Sequence, residues 1–173
     1  WNRRAPTGVP TLALVLGTQF PDVLDKPLNW WFDIFDGRAI GHSVITAVAL
    51  CGLLFLLARK HGHRDLAAAF TIGVFTHLVG DSWRALLSGD FGSAAFLMWP
   101  LLPAPTYPKD SLVDHLREWA IAFQTVPVGS PRVLLDTQFG IQLVFAAVIL
   151  SVWALDGFPG IRALTNAISG RRR

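Results

Sequence analysis

The sequence feature that most constrains the fold is a run from 39 to 58 that contains no Asp, Glu, Lys or Arg and is closed by Arg59 and Lys60. A helix of about 20 apolar residues is long enough to cross the hydrocarbon core of a bilayer. Composition agrees, since only 16% of the residues are charged, against about a quarter in ordinary soluble domains. The run therefore predicts a transmembrane helix.

Further apolar runs extend this prediction along the chain. Long runs cover 66–87 and 139–155, while the shorter runs at 9–20 and 91–102 indicate an incomplete span and a re-entrant or interfacial segment. Apolar positions at helical spacing predict a surface amphipathic helix from 111 to 124. The sequence thus predicts an all-α, polytopic helical membrane protein with about four membrane segments.

We expect one integral-membrane helical domain over residues 1–173. Its predicted parts are a motif-bearing core, a polar outer loop, a last membrane helix and a basic tail, at 10–102, 103–136, 137–157 and 158–173. The single cysteine, Cys51, excludes an internal disulfide.

The basic residues predict an orientation in the cell membrane. They gather at 3–4, in the turn at 59–64 and in the tail at 162–173. If the first run crosses, all three groups lie on one side, which the positive-inside rule makes cytoplasmic. The net charge of +3 is spread over segment ends instead of one contiguous basic face, which argues against a nucleic-acid partner.

The remaining ionisable residues converge in this topology. Helices that alternate in direction would bring six of them toward the outer membrane face, namely Asp22, Asp25, Arg38, His42, His77 and Asp81. Arg38 and His42 are four residues apart, as are His77 and Asp81, so each pair shares a helix face. Because ionisable groups in a membrane are costly unless paired or hydrated, such a group predicts a functional site.

These residue types indicate a metal centre. Imidazole and carboxylate ligands suit a divalent ion such as Zn²⁺ or Mn²⁺, and a bound ion would activate a water molecule for hydrolysis. The predicted ligands are Asp22, Asp25, His42, His77 and Asp81. Arg38 would bind a phosphate or the developing negative charge, and Asp25 or Asp81 would act as general base.

Four strings resemble a known family. FPDVLDKP (20–27), GRAIGHS (37–43), HLVGD (77–81) and MWPL (98–101) are similar to motifs of the YdjM-like, LexA-regulated inner-membrane proteins described as metal-dependent hydrolases. The resemblance covers about residues 10–102. It implies a small multi-helix membrane protein whose site residues are Asp22, Asp25, His42, His77 and Asp81.

The chain departs from the common family pattern in two places. Its carboxylates are spaced D-x-x-D, where D-x-D is commoner, and Gly37 stands where many relatives have a His before the Arg. The smaller ligand set implies one metal ion where relatives have two, or an inactive relative.

The leading hypothesis is a membrane-embedded, metal-dependent hydrolase that acts on a lipid-linked or phosphate-containing substrate near the outer headgroup layer. The alternative is a non-catalytic membrane subunit whose His/Asp network holds helices together or binds a membrane-protein partner or a second copy. A proton or ion pathway is a third interpretation. Among the single residues, Arg38 is equally compatible with an anchor to lipid headgroups.

Overall fold

The structure, a computed structural model, describes residues 8–106, 111–125 and 138–169. Regular structure within these ranges is helical throughout: α1 (Gly8–Phe32), α2 (Val44–Lys60), α3 (Arg64–Ser88), a 3₁₀ turn (Ala95–Met98), α4 (Leu112–Thr125), α5 (Gln138–Leu155) and α6 (Ile161–Ile168). The all-α part of the prediction agrees with this architecture.

The predicted polytopic topology is wrong, because no helix in the described part of the chain is both long and apolar enough to cross a membrane. The uncharged run at 39–58 is not one helix. The Ser43 hydroxyl caps α2 by accepting hydrogen bonds from the two backbone N–H groups of Ile45 and Thr46, so α2 begins only at Val44. The helix α2 therefore has 17 residues, the last two of which are Arg59 and Lys60 beyond the run.

The other predicted membrane segments also differ from the helices that the structure shows. Residues 9–20 are the first part of α1, which continues to Phe32, and 66–87 lie in α3, which carries two acidic and two basic residues. Residues 139–155 belong to α5. The run at 91–102 is not a re-entrant segment, since it forms the 3₁₀ turn and buries Phe96 and Leu97.

Two further predictions concern the chain ends and the surface helix. The amphipathic helix predicted from 111 to 124 is present as α4. The basic N-terminal pair at 3–4 and the last residues of the basic tail, 170–173, lie outside the described residues.

The chain divides into two compact units. One unit contains α1, α2, α3, the 3₁₀ turn and α6, and the other contains α4 and α5. In the second unit the indole N–H of Trp153 donates to the Pro159 carbonyl at 2.9 Å and closes the turn after α5.

In the first unit α1 packs along α3. The two backbones approach closely at Gly73, where a Cβ atom would collide with the Leu14 carbonyl and the Thr18 amide of α1. Only glycine permits this contact without separating the helices. The close approach sets the distance between the α1 and α3 side chains that form the site.

The hairpin of α2 and α3 and the segment around the 3₁₀ turn supply the small apolar core, whose buried members are Ala47, Cys51, Val74, Leu78, Ala94, Phe96 and Leu97. The Ser43 hydroxyl also donates to the Trp99 carbonyl at 2.5 Å. The start of α2 is thereby attached to the segment that follows the 3₁₀ turn.

Candidate metal centre

The loop at 33–43 joins α1 to α2 and carries two of the predicted site residues, Arg38 and His42. The Asn29 side-chain amide donates to the Phe35 carbonyl at 2.6 Å and so fixes the loop against α1. Gly37 has φ +81°, a conformation that is costly for residues with a side chain. The backbone conformation at this position therefore favours glycine.

Asp25 organises the end of this loop. Its carboxylate, 1% exposed, accepts hydrogen bonds from the backbone N–H groups of Ala39 at 2.7 Å, Gly41 at 2.9 Å and His42 at 3.2 Å. These bonds satisfy donors that would otherwise be buried without partners. Asp25 therefore determines the path of the loop into α2.

Asp25 also orients the imidazole of His42. Its Oδ2 atom lies 2.8 Å from Nδ1 of His42, and both side chains are fully buried. Since a carboxylate only accepts, Nδ1 donates, and the other ring nitrogen, Nε2, is the one directed at the neighbouring site residues. A carboxylate behind an imidazole is the usual support of a metal-ligating histidine.

Asp22, His42 and His77 form a group that could hold a metal ion, with ligand atoms all within 4.8 Å of one another. The Nε2 atoms of His42 and His77 are 3.2 Å apart. The Oδ1 atom of Asp22 lies 3.5 Å from Nε2 of His42 and 3.9 Å from Nε2 of His77. Ligands of a tetrahedral ion with bonds of about 2.0–2.2 Å are about 3.3–3.6 Å apart. The two distances from His42 are close to this range, and the distance between Asp22 and His77 is a few tenths of an ångström longer.

Three separate elements bring these side chains together. Asp22 lies on α1, His42 in the loop before α2, and His77 on α3. His42 is fully buried, whereas the side chains of Asp22 and His77 are 29% and 13% exposed. The group is thus supported from inside and open to solvent on one side.

The charges of the group stabilise one another. Burial opposes ionisation of Asp22, but hydrogen bonding to His42 and the charge of Lys26 outweigh it and hold the pKa of the Asp22 carboxyl below its usual value. Burial likewise disfavours charge on His42, but hydrogen bonds to Asp22 and Asp25 and the charge of Asp81 raise its pKa. Without a metal ion, these carboxylates therefore favour the protonated imidazole.

Asp81 and Arg38 lie beside this group. The Oδ2 atom of Asp81 is 3.5 Å from Nε2 of His42 and 3.0 Å from a guanidinium nitrogen of Arg38. The guanidinium also lies 5.3 Å from the centre of the Phe96 ring, a cation–π contact. An exposed cation is thereby held next to the three candidate ligands.

The structure places the predicted residues at different depths. It brings Asp22, His42 and His77 into one group and puts Asp81 with Arg38 at its edge. Asp25, predicted as a ligand, instead directs its oxygen atoms to the loop amides and to the far side of the His42 ring. It supports His42, a candidate ligand, from the side of the ring opposite the group.

Sequence reasoning missed one charged neighbour of the group, Lys26. Its ammonium is 3.1 Å from Oδ1 of Asp22, the same oxygen that faces the two histidines. The available signal was its position four residues after Asp22 on a helix. Phe96 was also missed, and its contact with Arg38 depends on a fold that no local pattern indicates.

Comparison with known proteins agrees with the motif resemblance. A family model described as YdjM inner membrane protein matches residues 2–158, most of the chain, and its description supports a membrane location. No significant match was found among curated proteins or among solved structures. On the extent of the family match, the chain belongs to the YdjM inner membrane protein family.

Proposed function

We propose that this protein is a metal-dependent hydrolase that acts on a phosphate-containing or lipid-linked substrate. The observation that carries the proposal is the spacing of Asp22, His42 and His77, whose ligand atoms lie 3.2, 3.5 and 3.9 Å apart, close to the separations of about 3.3–3.6 Å around a tetrahedral ion. Three protein ligands with an open side are typical of catalytic zinc sites, while structural sites have four.

Asp22, His42 and His77 would hold the ion, and Zn²⁺ or Mn²⁺ suits their nitrogen and oxygen atoms. When bound, the ion supplies Lewis acidity and makes a water molecule acidic near neutral pH. Asp25 keeps the Nδ1 proton of His42 in place, so that Nε2 presents its lone pair to the ion.

The charge balance favours an anionic substrate. The side chains at the site include three carboxylates and two permanent cations, namely Asp22, Asp25, Asp81, Lys26 and Arg38. With both histidines neutral these groups sum to a charge of −1, and a divalent ion changes the sum to +1. A phosphate group therefore complements the loaded site better than a neutral ester does.

Two residues at the edge have roles in this reaction. Arg38, whose side chain is 36% exposed, would bind a phosphate oxygen through its planar guanidinium. Asp81 would accept a proton from the attacking water at Oδ2, the oxygen nearest Nε2 of His42. The contact of Arg38 with Phe96 keeps the cation at the open side.

The test compares metal content and phosphatase activity of the purified chain. We expect bound Zn²⁺ or Mn²⁺ by elemental analysis, and hydrolysis of p-nitrophenyl phosphate or phosphatidic acid that a chelator abolishes and metal restores. His77→Asn should lower metal content and activity, whereas His61→Asn, in the exposed turn after α2, should leave both unchanged. A chain that binds neither metal contradicts the proposal.

A substitution of Arg38 tests substrate binding independently of metal binding. Arg38→Gln should weaken inhibition by inorganic phosphate by about tenfold or more, because it removes a charge-assisted hydrogen bond. Its metal affinity should stay near that of the parent protein. Equal inhibition of the variant and the parent would remove Arg38 from substrate binding without affecting the metal proposal.

A further inference from the structure

A groove of about 500 Å³ lies between α2 and α3, within the range of about 300–1,000 Å³ typical of ligand sites. Its lining, almost entirely apolar, includes Val48, Gly52, Phe55 and Leu56 from α2 with Thr71 and Phe75 from α3. None of these residues belongs to the candidate metal centre.

The groove is open at its middle, over Gly52. A Cβ atom added there would meet no atom within 4 Å. Val48 and Leu56, on the same face of α2, are 57% and 64% exposed. Large apolar side chains that remain exposed around a concave surface indicate an apolar ligand.

One end of the groove is basic. Arg59 and Lys60 follow Leu56 by three and four residues on α2, so they lie on the same side of the helix. Arg64 begins α3 after a short turn. All three are exposed, and the other ionisable residues beside them are His61 and His63 in the turn and the exposed Asp65 in the first turn of α3, which leaves this end with a net positive charge. The surface therefore combines an apolar channel with positive charge at one end.

We infer that the groove binds an acyl chain of an anionic membrane phospholipid, whose headgroup lies against Arg59, Lys60 and Arg64. Both parts of such a molecule are matched, since the apolar lining suits the chain and the basic end suits a negative headgroup. The family is described as inner membrane proteins, so anionic phospholipids would be available to this groove. The inference is independent of the metal centre and of hydrolysis.

The test uses a photo-crosslinking phosphatidylglycerol, with the diazirine on its acyl chain, in vesicles mixed with the purified protein. We expect crosslinks to peptides that contain residues 48–56 and 71–75. Gly52→Leu should reduce crosslinking by about tenfold by filling the groove, and Gly52→Ala should reduce it less. Gly80→Leu is the matched control, because Gly80 is also helical and open and lies outside the groove lining.

The role of the basic residues at the end of the groove is tested separately. Replacing Arg59 and Lys60 by Gln should weaken crosslinking to phosphatidylglycerol by about fivefold for each charge removed, and should not affect the phosphatidylcholine analogue. Equal labelling of the two lipids overturns the headgroup assignment.

Three other outcomes overturn the groove itself. In the first, Gly52→Leu does not reduce crosslinking although circular dichroism shows a folded protein. In the second, labelling is spread evenly over the exposed apolar residues of α5. In the third, light scattering shows a dimer, and its interface covers the groove. His77→Asn should leave crosslinking unchanged, which distinguishes failure of this inference from failure of the proposed hydrolase.

Discussion

Asp25 and His42 are joined by a buried hydrogen bond of 2.8 Å between the carboxylate Oδ2 and the imidazole Nδ1. The bond leaves Nε2 of His42 facing His77 at 3.2 Å. Because Asp25 also accepts backbone N–H bonds from the loop, the same carboxylate orients the ring and folds the segment that carries it. Loop conformation and the orientation of the His42 ring are therefore coupled.

Asp25→Asn should weaken both metal binding and stability. The oxygen of an amide accepts a weaker hydrogen bond from the Nδ1–H group than a carboxylate oxygen does. The NH₂ group of the asparagine would face backbone N–H groups, which are also donors. Calorimetric titration with Zn²⁺ or Mn²⁺ should show about 10–100-fold weaker binding, and the free energy of unfolding should fall by about 1–3 kcal/mol. Asp36→Asn, exposed in the same loop, is the control. Unchanged metal affinity would show that Asp25 does not support His42 as a ligand.

Lys26→Gln should strengthen metal binding. The ammonium competes with an ion for Oδ1 of Asp22, at 3.1 Å, and its removal leaves more negative charge for the metal. The pair is partly exposed, so we expect a gain of only roughly threefold to tenfold in the affinity for Mn²⁺. Lys60→Gln on α2 should leave affinity unchanged. Weaker binding by the Lys26 variant would mean that the lysine positions Asp22 instead of competing for it.

Gly73→Ala should destabilise the protein, because the added methyl group collides with the α1 backbone. We expect the free energy of unfolding in urea to fall by about 1–3 kcal/mol. Gly80→Ala in the same helix meets open space and should instead raise it by up to about 1 kcal/mol through higher helix propensity. The same response to both substitutions would contradict the close packing of α1 and α3.

Cys51 should react slowly with iodoacetamide in the folded protein. Its side chain is buried, and burial raises the pKa of the thiol against a smaller opposite effect of a hydrogen bond with Thr71. Less thiolate is therefore present near pH 8 than for a free cysteine of pKa about 8.5. The alkylation rate should keep increasing above that pH, and urea should accelerate it. A fast reaction in buffer alone would show that the reagent reaches the thiol through the groove between α2 and α3, which Cys51 also lines.

The helical residues of the candidate site were accessible from sequence because their spacing is local, whereas Arg38 and His42, expected to share a helix face, lie in the loop at 33–43. His77 and Asp81 are four residues apart on one helix, and Asp22 and Asp25 are three apart on another, so helical periodicity alone predicts which faces they share. What spacing could not distinguish was the separate roles of the two α1 carboxylates. The Asp25 carboxylate accepts hydrogen bonds from backbone N–H groups of a loop that begins eight positions later in the chain, at Asp33.

The predicted membrane spans failed for a related reason. Hydropathy averages over the run at 39–58 and is insensitive to the hydrogen bonds that the Ser43 hydroxyl makes with the first turn of α2. Those bonds divide the run into a loop at 39–43 and a helical part that belongs to the 17-residue helix α2. The Ser43 cap, together with the Asp25 carboxylate that binds the loop amides, thus places the start of the helix at Val44 and not at Ala39.

By itself the sequence determined the helical class, the family motifs and the supply of carboxylate and imidazole groups. These properties depend on residue type and on spacings of three or four positions. Tertiary structure alone decided which of those groups point at one another: Gly73 lets α1 approach α3, and Asp25 turns His42 toward Asp22 and His77. Metal-ligand geometry requires distances set to a few tenths of an ångström between separate elements, and only packing determines such distances.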